Sequence, residues 1–284
     1  MWRRRVRWRF LVFANVKSKL LLFAVVFGGL GLTGAVLHPL ESRLWAETRA
    51  GQPAMRLETI GAAAGRGLTF GVLGGFRAIA ADFTWVRVFV IWEKRDLPAV
   101  DALLKLVTTL DPRPLYFWLN GARILAYDMP AWRIAAAGGY DAVSEQEQRR
   151  LDAEQARLAL KRLDEARRFY PASPDLWIER ASIELTRLRD VAAAAVSYRR
   201  AWEQPGGPYY AARLHAEMLK RLGRKTEALA WLVQLHPGLP PGDESACADL
   251  VLARIRELER ELSIPAEQAY RPPARPAEGK RGPG

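Results

Sequence analysis

The sequence predicts an all-α fold in which helix–turn–helix hairpins stack behind one apolar N-terminal segment. Three observations carry this prediction. Residues 172–205 contain two apolar-periodic runs of helix length, prolines recur at intervals of 34 and 35 residues (Pro171, Pro205 and Pro240), and residues 20–37 form an uncharged, mostly apolar run of 18 residues. A single hairpin cannot bury both of its faces, so it needs stacked neighbours. We therefore expect an α-solenoid of about four repeats.

The hairpin at 172–205 shows the pattern most clearly. Its first run places apolar residues on one face at spacings of three and four, and its second run, rich in alanine, does the same; the residues are Leu176, Trp177, Ala181, Leu185 and Leu188, then Ala193, Val196, Ser197 and Ala201. Such spacing predicts two amphipathic helices. We expect the turn between them near Leu188–Asp190, and the small residues allow the helices to approach closely.

Residues 81–240 resemble the tetratricopeptide repeat family, whose unit of 34 residues has small residues at the helix crossings and a closing proline. The resemblance is carried in the units that end at Pro171, Pro205 and Pro240, and more loosely in the unit that ends at Pro112. The matching positions are Ala159, Leu163 and Ala166; Trp177, Ala181, Ala193 and Ala201; and Tyr209, Tyr210, Ala216, Gly223, Ala228, Leu232 and Leu235. The resemblance implies a right-handed solenoid, and it indicates a fold more than a function.

The last repeat offers four charged candidates for partner binding on its first helix: Arg213, Glu217, Lys220 and Arg221. In peptide-binding members of the family, basic and amide residues on first helices clamp a partner's terminal carboxylate. The resemblance therefore implies that Arg213 and Lys220 act as a clamp. The comparable places of the neighbouring repeat hold Ile178 and Ser182, which are not a basic and amide pair.

A second candidate surface lies at the start of the array. One face of the first predicted repeat helix carries Trp85, Phe89, Trp92 and Glu93. An aromatic stripe at helical spacing is typical of core packing, and a ligand groove at these residues is the alternative. Residues 129–150 interrupt the repeat pattern, with Gly138 and Gly139 as their joint. Insertions in solenoids often lie on the binding face.

The N-terminal region predicts a membrane anchor. Residues 1–19 carry seven basic groups and no acidic one, and residues 20–37, taken as a helix, would rise about 27 Å, close to the thickness of a bilayer core. The positive-inside rule leaves the N-terminus in the cytoplasm. We expect a single-pass protein of a bacterial inner membrane with a periplasmic repeat domain. A cleaved signal peptide is the alternative.

The remaining segments frame the array. Residues 38–80 predict a juxtamembrane, glycine-rich lead-in, and a second span in 60–91 is disfavoured because four charged residues interrupt it. Residues 241–264 predict a capping helix with Leu250, Ile255 and Leu258 facing inward. Residues 265–284, rich in proline, glycine and basic groups, predict a disordered tail.

Charge and cysteine content exclude two classes of site. The formal charge is +12, but residues 1–19 contribute +7 and the tail from Arg271 contributes +3, which leaves +2 for residues 20–270. A nucleic-acid-binding stripe should lie on the folded body, so we expect no nucleic-acid partner. The single Cys247 cannot form an internal disulfide or a cysteine-based metal cluster, and it is typical of a small buried residue.

The sequence favours a noncatalytic scaffold. The three histidines lack zinc-protease spacing, no nucleophile elbow is present, and we expect no cofactor, no metal and no small-molecule ligand. We expect protein partners in an envelope complex such as a pilus, secretion or polysaccharide machine, with the membrane contacted through 20–37. The alternative is a noncatalytic subunit of a membrane enzyme that binds an acyl chain or glycan at Trp85–Trp92.

Overall fold

The computed structural model describes residues 76–240 and 242–273, and these are helical throughout, with turns and loops between the helices and no strand among them. This confirms the all-α prediction. The basic segment 1–19, the predicted span 20–37, most of the lead-in 38–80 and residues 274–284 of the tail lie outside the described residues. Within the described part, no helix is both long enough and apolar enough to cross a membrane.

The described chain contains ten α-helices, joined by one π-helical and two 3₁₀ segments. In chain order they are α1 (Arg77–Glu93), α2 (Leu97–Leu110), α3 (Leu115–Arg123), the π-helix (Ile124–Asp128), α4 (Met129–Ala136), α5 (Glu145–Ala166), α6 (Pro174–Thr186), α7 (Val191–Glu203), α8 (Tyr209–Arg221), α9 (Lys225–Leu235), 3₁₀ turns at His236–Gly238 and Glu244–Ala246, and α10 (Ala248–Glu261). They belong to two compact units, one with residues 76–90 and 105–111 and the other with the remaining described residues.

The first unit contains most of α1 and the last turns of α2. Ala81, Trp85 and Val88 of α1 are buried, as are Val107 and Leu110 of α2. The Arg77 guanidinium donates from Nε to the Leu110 carbonyl (3.1 Å) and from Nη2 to the Thr109 carbonyl (3.3 Å). A cation at the C-terminal carbonyls of a helix satisfies acceptors that the helix itself leaves open.

The second unit begins with a buried arginine at the contact between α3 and α5. Arg162 is 5% exposed and donates to the Leu104 carbonyl, and its guanidinium lies 5.6 Å from the Trp118 ring. A Cβ on Gly121 would lie 2.6 Å from Arg162 Nε, so only glycine leaves room for this side chain. Burial lowers the pKa of Arg162 to about 10, which still leaves the group charged at neutral pH.

The predicted insertion 129–150 is built largely of helix. The backbone runs from α3 through the π-helix into α4 without leaving the helical region, so Met129 continues the preceding helix. The chain turns at Gly138 (φ +104°) and Gly139 (φ +93°), which confirms the predicted glycine joint. The hydroxyl of Ser144 then accepts from the Glu147 amide and opens α5.

The hairpin of α6 and α7 confirms the helices predicted in 172–205, and it corrects one face. Ala194, Ala195 and Tyr198 are buried together with Ala181 and Ala201, whereas Val196, which we expected inside, is 53% exposed. The buried Glu184 carboxylate accepts from the Ser197 hydroxyl at 2.6 Å, a polar bond inside the hairpin. The Asp190 carboxylate caps α7 by accepting from the Ala193 amide at 2.8 Å.

From α5 to α10, every helix packs against the next one in the chain. The α7–α8 connection passes through Gly207, where a Cβ would lie 2.4 Å from the Trp202 carbonyl oxygen, and the α8–α9 turn uses Gly223 at φ +76°. The core of this end comes from α8, α9 and α10 and includes Ala216, Ala228, Leu232, Leu235, Val251, Ile255 and Leu258.

The C-terminal end differs from the prediction in two places. Val251 (1% exposed) faces the core, whereas Leu250, which we expected to face inward, is 49% exposed. Residues 265–273, placed by the prediction in a disordered tail, include Tyr270, whose amide donates to the buried Glu259 carboxylate at 2.5 Å. The Tyr270 hydroxyl also lies 3.1 Å from His236 Nδ1.

Candidate functional site

A groove of about 400 Å³ lies between α8 and α10. Its floor is apolar and its rim is charged, because α8 and α10 each turn both apolar and charged side chains toward it. The floor residues are Leu214, Ala216, Leu232, Val251 and Leu258, and the rim residues are Tyr210, Arg213, Glu217, Lys220, Arg221, Leu250, Arg254 and Glu257. We call this the α8–α10 groove.

Ion pairs that cross from one helix to the other hold the groove open at a fixed width. Lys220 Nζ lies 2.5 Å from Glu257 Oε1 and 3.1 Å from Glu261 Oε1, so one ammonium on α8 binds two carboxylates on α10. Arg213 Nη1 donates to the carbonyls of Ser245 and Ala246 at 3.0 Å each, which ties α8 to the turn that precedes α10.

The bridging contacts favour the charged forms of the residues that make them. The hydrogen bonds from Lys220 and Arg254 lower the pKa of Glu257 to about 2, and the bond to Glu257 raises the pKa of Lys220. Charge-assisted hydrogen bonds favour the ionised form of both partners. The pair of Lys220 and Glu257 is therefore charged at neutral pH and stays intact well into the acid range.

Two rim arginines remain open to a ligand. The side chains of Arg221 and Arg254 are 53% and 52% exposed, and each is bonded to a glutamate of its own helix, Glu217 and Glu257 respectively. The lining contains four cationic and two anionic side chains, and Glu261, which binds Lys220 from beside the lining, reduces the excess to one positive charge. This excess favours a ligand that brings carboxylates to the rim and apolar side chains to the floor.

The structure brings together all four residues predicted on the first helix of the last repeat. Arg213, Glu217, Lys220 and Arg221 all line the α8–α10 groove. Arg213 and Lys220, to which the resemblance gave the role of a carboxylate clamp, are both bonded to acceptors of the chain itself. Both connect α8 to the α10 region, and the more exposed cations of the groove are Arg221 and Arg254.

The α10 half of the groove was not predicted. Arg254 and Glu257 were not among the predicted site residues, and residues 241–264 were expected only to form a capping helix with Leu250, Ile255 and Leu258 facing inward. The spacing Val251–Ile255–Leu258, four and then three residues, is the regular helical one. It would have placed Arg254 and Glu257 beside the floor.

The aromatic residues predicted on one face of α1 belong to two compact units. Trp85 is 6% exposed and Phe89 is 46% exposed, with their rings edge-to-face at 5.5 Å in the first unit. Trp92 belongs to the second unit, where its Nε1 donates to Asp128 Oδ2 at 2.8 Å and its ring packs edge-on to Trp132. Glu93 is exposed at the end of the helix. Trp85 and Trp92 are thus used in packing.

The second helices of the hairpins, α7 and α9, form a different surface, which we call the α7–α9 face. Arg199 pairs with Glu203 and Arg224 pairs with Glu227, each within three or four residues along the chain. His215 of α8 reaches this face; its Nδ1–H donates to the Ala195 carbonyl at 2.8 Å, and its ring packs edge-on to Trp231 at 4.6 Å. Burial lowers the pKa of His215.

No protein-family model, no curated protein and no solved structure matches this chain. Among residues 76–240 and 242–273, no group of three or more histidine, cysteine, aspartate or glutamate side chains is placed to hold a metal ion. The α8–α10 groove is therefore the candidate site on its own geometry.

Proposed function

We propose that the protein is a noncatalytic, membrane-anchored scaffold that binds a partner protein in the α8–α10 groove. The observation that carries the proposal is the groove itself, with its apolar floor, its charged rim and its excess of cations. Recognition of an amphipathic segment needs an apolar floor for affinity and fixed charges for register and specificity. A segment with acidic and aliphatic side chains at helical spacing fits both requirements.

The proposal includes a tetratricopeptide-like solenoid as the architecture. Sequential packing from α5 to α10 and the glycine turn at Gly223 support it. In such an array the first helices of successive hairpins line one surface, and α8 and α10 occupy those positions. The groove is then the last part of a longer first-helix surface, to which Arg123 and Glu179, paired at 2.7 Å, would contribute earlier in the array.

The cellular setting is proposed from the N-terminal sequence. The uncharged run at 20–37 would anchor the chain in a bacterial inner membrane and leave the repeats in the periplasm. A scaffold in that place would assist the assembly of an envelope complex of the pilus, secretion or polysaccharide type.

Site-specific photo-crosslinking in cells that express the full chain tests the proposal. Benzoylphenylalanine would replace Tyr210, which lines the groove and is 43% exposed, and, as a matched control, Tyr140 (58%), which does not line it. We expect a discrete protein adduct from position 210 and none of the same mass from position 140. The absence of an adduct at 210, or the same adduct at both positions, would contradict the proposal.

A further inference from the structure

Helix α1 is apolar on two sides. One side is buried and includes Ala81, Trp85 and Val88. The other side presents Ile79, Phe83, Val86 and Val90, which are 48%, 73%, 62% and 49% exposed. Their spacing of four, three and four residues puts them in one line about 16 Å long. We call this line the α1 ridge.

A surface helix normally has one apolar stripe and an opposite polar face, and a helix that is apolar all round is covered on all sides. Among the residues between Ile79 and Val90, only Asp82 and Arg87 are charged. A contiguous row of four exposed aliphatic and aromatic side chains, with Phe89 (46% exposed) beside it, marks an interaction surface.

The size and position of the ridge indicate what covers it. The four ridge side chains and Phe89 together offer roughly 500 Å², since an aromatic side chain covers about 150–250 Å², an aliphatic one somewhat less, and these five are about half exposed or more. A stable protein interface needs about 800 Å² from each partner, so a second copy of the chain meets too little surface here. Binding to a bilayer does not need so large a contact area when the chain is already tethered to it, because a tether gives the helix a high effective concentration at the membrane.

The same chain carries the predicted span at 20–37, which ends 42 residues before Ile79. We propose that α1 lies on the membrane surface and inserts the α1 ridge into the boundary between headgroups and acyl chains of a phospholipid bilayer. Amphipathic helices at an interface insert phenylalanine and aliphatic side chains to a depth of about 5–10 Å. The opposite side of α1 stays buried within its own unit.

This inference rests on the membrane anchor of the proposed function and not on the α8–α10 groove. It assigns a second membrane contact, besides the predicted span, to a helix that the sequence analysis treated as the start of the repeats. The consequence is that the first unit is held at the lipid surface, so the membrane itself is a ligand of the folded part of the chain.

Fluorescence quenching by lipids tests the inference. The full chain would carry Cys247→Ser together with either Val86→Cys or Val196→Cys, each labelled with an environment-sensitive nitrobenzoxadiazole probe. Val196 is the matched control because it is also a valine exposed on a helix (53%). Both proteins would be reconstituted in vesicles of phosphatidylcholine and phosphatidylglycerol that contain a nitroxide on the upper acyl chain.

We expect the probe at 86 to be quenched at least about twofold, as an insertion depth of about 5–10 Å requires, and the probe at 196 to be unaffected. A third variant, Phe83→Ser in the Val86→Cys background, should reduce the quenching at 86. Equal, weak quenching at 86 and 196 would overturn the inference. Shielding at 86 that depends on the ratio of protein to lipid and not on the nitroxide would also overturn it, because it would indicate a second copy. Circular dichroism of each variant verifies the fold.

Discussion

The two sides of the last hairpins use the same kinds of charged residue in different ways. In the α8–α10 groove, Lys220 binds carboxylates of the facing helix and Arg213 binds carbonyls of the adjoining turn. On the α7–α9 face, Arg199 and Arg224 bind carboxylates close to themselves in the chain, and the contact of Arg199 with the facing helix is to the Trp231 ring, at 5.5 Å. Bridging pairs fix the distance between two helices, whereas local pairs leave a solvated surface. A preorganised surface of the first kind is the better binding site.

The floor of the groove should matter most for folding. Leu258 is 3% exposed and Leu250, on the same helix, is 49% exposed. We expect Leu258→Ala to lower the free energy of unfolding by about 2–5 kcal/mol, because it removes buried methyl groups and leaves a cavity. Leu250→Ala should change it by about 0.5 kcal/mol or less. Urea titration followed by circular dichroism measures both, and equal effects would place the inward face of α10 elsewhere.

The bridging pair should have a smaller effect that depends on salt. Lys220→Met removes one cation from two carboxylates, so the unfolding temperature should fall, and the difference from the unaltered chain should shrink in concentrated sodium chloride. Arg224→Met, which breaks the local pair with Glu227, should change the unfolding temperature less. A drop of the same size for both variants would remove the distinction between the two sides.

The Lys220–Glu257 pair also predicts that the stability of the fold decreases at acidic pH. Because the folded-state pKa of Glu257 is about 2 and its ordinary value is 4.5, the unfolded chain binds the proton more readily. The stability that Glu257 contributes is therefore present above about pH 4.5 and is lost as the pH falls toward 2. Glu257→Gln should make the unfolding temperature depend less on pH in that range, as measured by thermal melts at fixed ionic strength.

His215 should make stability depend on pH in a second, higher pH range. Its pKa in the folded chain is lowered by burial, so the unfolded chain takes up the proton first as the pH falls. Stability should therefore decline as the pH drops below the ordinary histidine pKa of about 6.5. His215→Gln, which keeps a donor for the Ala195 carbonyl, should weaken this decline, whereas an unchanged slope would assign it to another group.

The sequence predicted those parts of the fold that rest on local pattern. Helical spacing gave the α6–α7 hairpin, the turn at Gly223 and the joint at Gly138 and Gly139, because each depends on a few neighbouring residues. Leu250 and Val196 were misplaced because each lies one residue from a core position, and one residue turns a helical side chain through about 100°.

Other features depend on contacts between distant residues, which pattern does not reveal. Gly121 and Arg162 are 41 residues apart in the chain, and the buried guanidinium fits only because the glycine has no side chain. The bonds of Arg213 and Lys220 likewise cannot be predicted without knowing where α10 lies. The sequence therefore placed four of the groove's side chains on one helix, and their bonds to the α10 region became visible only in the structure.

One comparison of partner binding tests the central claim most directly. Arg221→Glu with Arg254→Glu reverses two exposed charges in the groove, and Arg199→Glu with Arg224→Glu reverses two on the α7–α9 face; each of the four arginines is 50–56% exposed and pairs with a glutamate three or four residues away. The measurement is the yield of the protein adduct cross-linked at position 210. We predict that the groove variant loses the adduct and the α7–α9 variant keeps it. An adduct that survives in the groove variant, or disappears equally in both, would contradict the claim that the groove binds a partner through its rim charges.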